Sequence, residues 1–144
     1  MSNHVIRILL LTCAVISTHS TADEILVIVN PENPIDALDQ KQIQQLFLGR
    51  MSLFPNSEIK VSAVDQNESS LAYQRFYKNV MNINETKLKR YRAYYLFSGK
   101  GQVPKTMDSI EGLLQYVSKN QNAIAYINKQ DLKDSVKVVY PIKE

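Results

Sequence analysis

Residues 24–30, Glu-Ile-Leu-Val-Ile-Val-Asn, are an apolar run between a glutamate and an asparagine, and Pro31 closes it. β-branched residues without polar alternation predict a strand buried on both faces, as parallel sheets require. Asn33-Pro34 continues the turn. Asp39 is placed to cap a short helix that reaches Leu48, with Ile43, Leu46 and Phe47 on one face. Gly49 then supplies a left-handed stop, with Arg50 just beyond it. Residues 51–57 read as a loop turning at Pro55-Asn56, and residues 58–64 alternate as a strand. Asp65-Gln66-Asn67-Glu68 breaks that strand.

Ser69 opens a helix toward Met81, with Leu71, Phe76, Tyr77 and Val80 as its inward groups. Asn84, backed by Glu85, caps a third helix that runs to about Phe97. Its apolar side is Leu88, Tyr91, Tyr95 and Leu96. Ser98-Gly99-Lys100-Gly101 and Pro104 form a second glycine-bearing loop, and Asp108 or Thr106 caps a fourth helix through Lys119. Residues 123–127 and 136–140 close the chain as strands. Strands and helices alternate, so the expected fold is α/β and layered, without repeats or an interdomain linker.

The first residues read as an export signal. His4 and Arg7 give a basic start, residues 5–16 are apolar apart from Arg7 and Thr12, and Ser20-Thr21-Ala22 supplies small residues for cleavage. The apolar stretch is short for a membrane span. Cleavage after Ala22 divides the chain into a signal peptide, 1–22, and one periplasmic domain, 23–144. Leu10-Leu11-Thr12-Cys13 loosely resembles a lipidation motif. Thr12 stands where a smaller residue is expected, and the apolar run continues past Cys13, which favours cleavage. The mature part then carries sixteen cations against fourteen acids, a net charge of +2. That balance does not suggest nucleic acid, which needs a concentrated basic face.

Chemistry is limited by what the mature part lacks. Cys13, His4 and His19 all precede the cut. No metal centre, cofactor, Ser-His-Asp triad or cysteine nucleophile is therefore expected. Asp65 and Glu68 are a nearby carboxylate pair, and solvated turn residues before a helix are their commoner role. Lys87, Lys89, Arg90 and Arg92 interleave with Tyr91, Tyr94 and Tyr95. That mixture can bind single strands, but helical spacing favours a core helix whose cations point outward. Ser98-Gly99-Lys100-Gly101 lacks the spacing of a P-loop and reads as a turn. The stretch from Asp65 to Ser70 joins a strand to a helix N-terminus, where backbone N–H groups and hydroxyls can hold an anion. The competing reading is that Ser69 only caps its helix.

In order, these pieces resemble the small phosphate ABC transporter substrate-binding-like proteins, relatives of the periplasmic phosphate-binding protein. The resemblance rests on residues 25–30 with Asn33-Pro34, on Ile43 through Arg50, on Phe54-Pro55-Asn56 and on residues 61–65. It continues through Phe76-Tyr77, residues 95–101 with Pro104, and Asn122-Ala123-Ile124-Ala125-Tyr126-Ile127. It implies a single lobe of the type 2 periplasmic-binding-like fold, a mixed sheet flanked by about four helices. It implies a non-enzymatic link to phosphate uptake, with an ABC permease or another periplasmic protein as partner. The family's Ser-Gly-Thr element corresponds to Glu68-Ser69-Ser70-Leu71, and Ala125 replaces a glycine before Tyr126. The candidate oxyanion site is Ser69 and Ser70 as donors, with Arg50 or Arg75 as the charge. The alternative is a lobe that has lost its ligand and acts through a protein partner or a homodimer.

Overall fold

The computed structural model describes residues 24–141. The export segment, its cleavage after Ala22, His4, His19 and Cys13 lie outside the described residues. Five strands form one mixed sheet: β1 (Ile25–Val29), β2 (Ser62–Gln66), β3 (Lys105–Met107), β4 (Ala123–Asn128) and β5 (Lys137–Tyr140), in the order β3-β2-β4-β1-β5. The helices are α1 (Gln40–Phe47), α2 (Leu71–Arg75), α3 (Glu85–Ser98) and α4 (Ile110–Lys119). α2 continues as a π-helical turn, Phe76–Val80. The α/β lobe with a mixed sheet and four helices is the expected one.

All five residues of β1 are buried, because the strand is sandwiched between helical layers. The parallel arrangement expected from that burial is wrong for β1, which pairs antiparallel with both β4 and β5. What buries a strand on both faces is cover on both faces, whatever its direction. The parallel pairs are β2 with β3 and β2 with β4. β3 was not foreseen; its three residues are too few to show a period.

Alternation in β1 and β4 sorts the core into two layers. Val27, Val29, Ile124 and Tyr126 pack with Ile43, Leu46 and Phe47 of α1 and with Phe76, Tyr77 and Val80. Leu26, Ile28, Ala125 and Ile127 pack with Leu113, Leu114 and Val117 of α4. Phe76 stacks on Tyr126 at 3.9 Å between ring centroids, and Phe47 meets Phe76 edge-on at 4.7 Å. Burying each such side chain is worth about 1.5–3 kcal/mol.

Local signals set the element ends. Asp39 and Gln42 form a reciprocal capping box at the start of α1. Gly49, at φ 74°, ends that helix while the Arg50 N–H donates back to the Gln45 carbonyl. Asn30 is buried and donates to the Val117 and Ser118 carbonyls, satisfying the end of α4. The cap of α4 is Ser109, whose hydroxyl accepts from the Gly112 N–H, rather than Asp108 or Thr106. β2 begins at Ser62 and runs through Asp65 and Gln66, residues expected to break it, because those two pair with Thr106 and Met107 of β3.

Two faces of the helices also differ from expectation. Leu71 is exposed, since α2 begins at that residue and turns Ala72 and Tyr73 inward instead. In α3 only Leu88 is buried; Leu96 and Phe97 are exposed, the latter at 93%. Tyr91 and Tyr95 stack on each other and are half-buried beneath Arg50 and the 99–104 loop, whereas Leu96 and Phe97 face solvent.

Candidate functional site

β2 and β4 run parallel, and the chain leaves β2 at its C-terminal end through the Asp65–Ser70 turn into α2. Open α/β sheets bind ligands outside the C-terminal ends of parallel strands. Asp65 was expected to be a solvated turn acid and is instead buried. Its Oδ2 accepts from the Tyr77 hydroxyl at 2.7 Å and from Arg92 Nη2 at 2.8 Å, and its Oδ1 accepts from the Tyr126 hydroxyl. The same Arg92 nitrogen donates to the Tyr77 oxygen at 2.5 Å. A carboxylate out of water persists only with such company.

Arg92 was expected to face solvent with its basic neighbours. It turns inward because it lies four residues after Leu88, the one buried residue of α3, and so shares its face. That i, i+4 relation is the signal in the sequence that could have placed it. Burial works against its charge, but the Tyr77 and Asp65 fields outweigh this and hold the guanidinium more firmly protonated than usual. Burial, reinforced by the Asp65 charge, pushes both the Tyr77 and Tyr126 phenols well above their ordinary range. The cluster is a neutralised, proton-holding centre that ties α3 and the π turn to the sheet.

Ser70, rather than Ser69, is the N-cap of α2: its Oγ accepts from the Tyr73 N–H at 3.1 Å and donates to Gln66 Oε1 at 3.3 Å. Ser69 instead donates through its N–H and Oγ to Asn67 Oδ1, closing an Asx-type turn. Arg75 donates to Asn128 Oδ1 at 3.2 Å, at the end of β4. Ser69, Ser70 and Arg75 thus belong to the elements that meet at one end of β2 and β4. Arg50 stands elsewhere: its Nε donates to the Tyr91 hydroxyl, and its guanidinium lies 4.9 Å from the centre of that ring. Beside the turn a groove of about 770 Å³ is lined by Ser69, Tyr73, Tyr77, Lys78, Glu68 and Glu85, among others. Its two acids disfavour anions on that side of Ser69.

No family model and no curated protein matches the sequence. Solved structures do match the fold. An ABC-type phosphate transport receptor from Vibrio cholerae superposes with a TM-score of 0.66 at 19% identity, over 80% of this chain and 44% of the receptor. A Clostridium perfringens structure with bound phosphate gives 0.64 at 20% identity, over 80% of this chain and 43% of the other. PstS from Borrelia burgdorferi gives 0.60 at 12% identity, over 83% and 48%. The chain therefore has the fold of phosphate ABC transporter substrate-binding proteins and spans less than half the length of each.

Proposed function

We propose that the chain is an exported, non-enzymatic solute-binding-like module related to phosphate binding for ABC-type uptake. In this reading it takes a small oxyanion, phosphate first, at the Asp65–Ser70 turn. The observation that carries it is the neutralisation of Asp65. The one carboxylate buried at this turn is compensated by Arg92, Tyr77 and Tyr126, so it does not repel an anion as a bare charge would. Ser69 and Ser70 are the donors and Arg75 the cation. To bind, the two hydroxyls exchange their bonds to Asn67 and Gln66 for bonds to the anion. On this lobe by itself the ligand stays open to water, which keeps its affinity low. Export rests on the first 22 residues, and an ABC permease is the partner this reading implies.

Calorimetry of the mature chain with phosphate tests it. Saturable heat that disappears in Ser69→Ala with Ser70→Ala supports the reading. No heat at about 10 mM phosphate, where a 1 mM site would be nearly full, sinks it.

The uncovered end of α3 favours a second reading, an interaction lobe that pairs with a second copy of itself. Arg90, Ala93 and Phe97 are all exposed and, spaced three and four apart, share the outward face. The first half of the helix carries Lys87, Lys89 and Arg90, whereas residues 93–98 carry no charge. Two antiparallel copies set each cationic half against the other's aromatic end, with Arg90 over Phe97 and small Ala93 near the axis. A parallel pair would oppose like charges. Sedimentation of the mature chain should show a concentration-dependent dimer that Phe97→Ser abolishes; a monomer at every concentration excludes this reading.

A further inference from the structure

At the opposite end of β2 lies a groove of about 450 Å³, separate from the Asp65–Ser70 turn. Residues 61–63 line it, whereas Asp65 and Gln66 lead into the turn. Ser62 in the groove and Gln66 at the turn are four strand steps apart, about 13 Å at ~3.3 Å each. Lys60, Lys100 and Lys105 all line this groove, and its wall contains no aspartate or glutamate. None of the three lysines forms a salt bridge among the described residues. All three are exposed, and three like charges around one concavity add to a positive potential that draws anions to it.

The groove is held in shape by the chain around it. Gly49 ends α1 at φ 74°, and a Cβ there would stand 3.0 Å from the Gln102 carbonyl oxygen. A Cβ on Gly101 would stand 2.6 Å from Tyr95 Cδ1. Gly49 therefore lets the 99–104 loop approach the α1 terminus backbone to backbone, and Gly101 lets it seat against the Tyr95 side chain of α3. Lys105 is steadied over the Tyr116 ring at 5.0 Å, and the Tyr116 hydroxyl bonds the Ser62 hydroxyl at 3.1 Å. The cations are thus presented by the segment leading into β2, by the first residue of β3 and by a glycine-seated loop.

We infer that this groove is an anion site for a small molecule carrying two or more phosphoryl groups. Inorganic phosphate carries less charge than the three lysines together and would leave part of the cationic charge unanswered and much of the volume empty. A chain of phosphoryl groups spans all three lysines, each of which reads phosphate as a point charge. Leu46, Met51 and Val103 give the groove an apolar side as well, suited to the carbon portion of an organic polyphosphate.

The inference is independent of phosphate binding at the Asp65–Ser70 turn, and the variants separate the two. The mature chain is titrated calorimetrically with tripolyphosphate, adenosine 5′-triphosphate and inorganic phosphate. Tripolyphosphate is expected to saturate the protein at least about tenfold more tightly than inorganic phosphate, and the nucleotide to bind no more weakly than tripolyphosphate. Lys60→Gln with Lys100→Gln and Lys105→Gln should weaken tripolyphosphate about thirtyfold or more. Ser69→Ala with Ser70→Ala should leave it within about twofold. Lys105→Gln alone gives a partial loss and serves as the check if the triple variant's melting temperature falls. No saturation of the parent chain by about 5 mM tripolyphosphate overturns the inference. So does unchanged affinity in a folded lysine variant, or loss of binding in the serine variant.

Discussion

Arg92→Met removes a charge from the Asp65 centre while keeping a flexible apolar side chain in its place. The carboxylate it leaves behind has only 3% of its side chain exposed, whereas Arg92 has 19%. Water can reach the deleted partner's place far better than it can reach Asp65. Breaking a buried ion pair from one side costs about 3–5 kcal/mol. Two features reduce that figure here. Tyr77 and Tyr126 still donate to Asp65, so the carboxylate keeps hydrogen bonds. Arg92 Nε is buried with no hydrogen-bond partner, and its removal returns about 1 kcal/mol. The expected net loss is about 2–3 kcal/mol, roughly 10 °C in melting temperature for a domain of this size. Asp65→Asn removes the need for the cation, so Asp65→Asn with Arg92→Met should cost less than the two single losses combined, by about 1.5 kcal/mol or more. Urea unfolding at neutral pH, followed by circular dichroism with unchanged slope, reads all four corners of this cycle. A loss below about 1 kcal/mol for Arg92→Met, or strict additivity in the double variant, would refute the compensated-carboxylate account.

Two further outcomes follow from the same structure. The Tyr77 and Tyr126 phenols have raised values in the folded state, so the folded chain keeps protons that the unfolded chain releases above its ordinary tyrosine value. Stability is therefore full below about pH 10 and declines above it by about 1.4 kcal/mol per pH unit for each phenol. Tyr73 and Tyr91 are also raised and add to the decline, so Tyr126→Phe should remove only its own share, about 1.4 kcal/mol per pH unit; an alkaline titration monitored by tyrosinate absorbance checks it, and a flat stability profile to pH 12 contradicts it. Gly49→Ala places a side chain at φ 74° and against the Gln102 carbonyl, costing about 1–2 kcal/mol in thermal unfolding. No loss would mean that the α1 terminus does not seat the 99–104 loop.

Much of the lobe was legible in the chain because local rules act there. The unbroken run of β1, the Asp39 and Asn84 caps, the Gly49 stop and the 123–127 strand each depend on neighbours a few residues away. Their type and order, read with the family resemblance, led to the α/β substrate-binding-like lobe that the structure has. Strand direction was not local: β1 is covered on one face by α1, the next element, and on the other by α4, much later in sequence, and burial alone carries no sign of antiparallel pairing. The Asp65 centre was equally hidden. It joins residues 12, 27 and 61 positions away, so Asp65 looked like a turn acid and Arg92 like one cation in a solvated stripe. The basic groove stayed hidden for the same reason, since Lys60, Lys100 and Lys105 become neighbours only when β2 pairs with β3. Helix caps and glycine stops are decided by torsions and short-range hydrogen bonds, which the sequence specifies by itself. Which charges are neutralised and which remain in want of an anion is decided by through-space distance, and only the tertiary structure sets that.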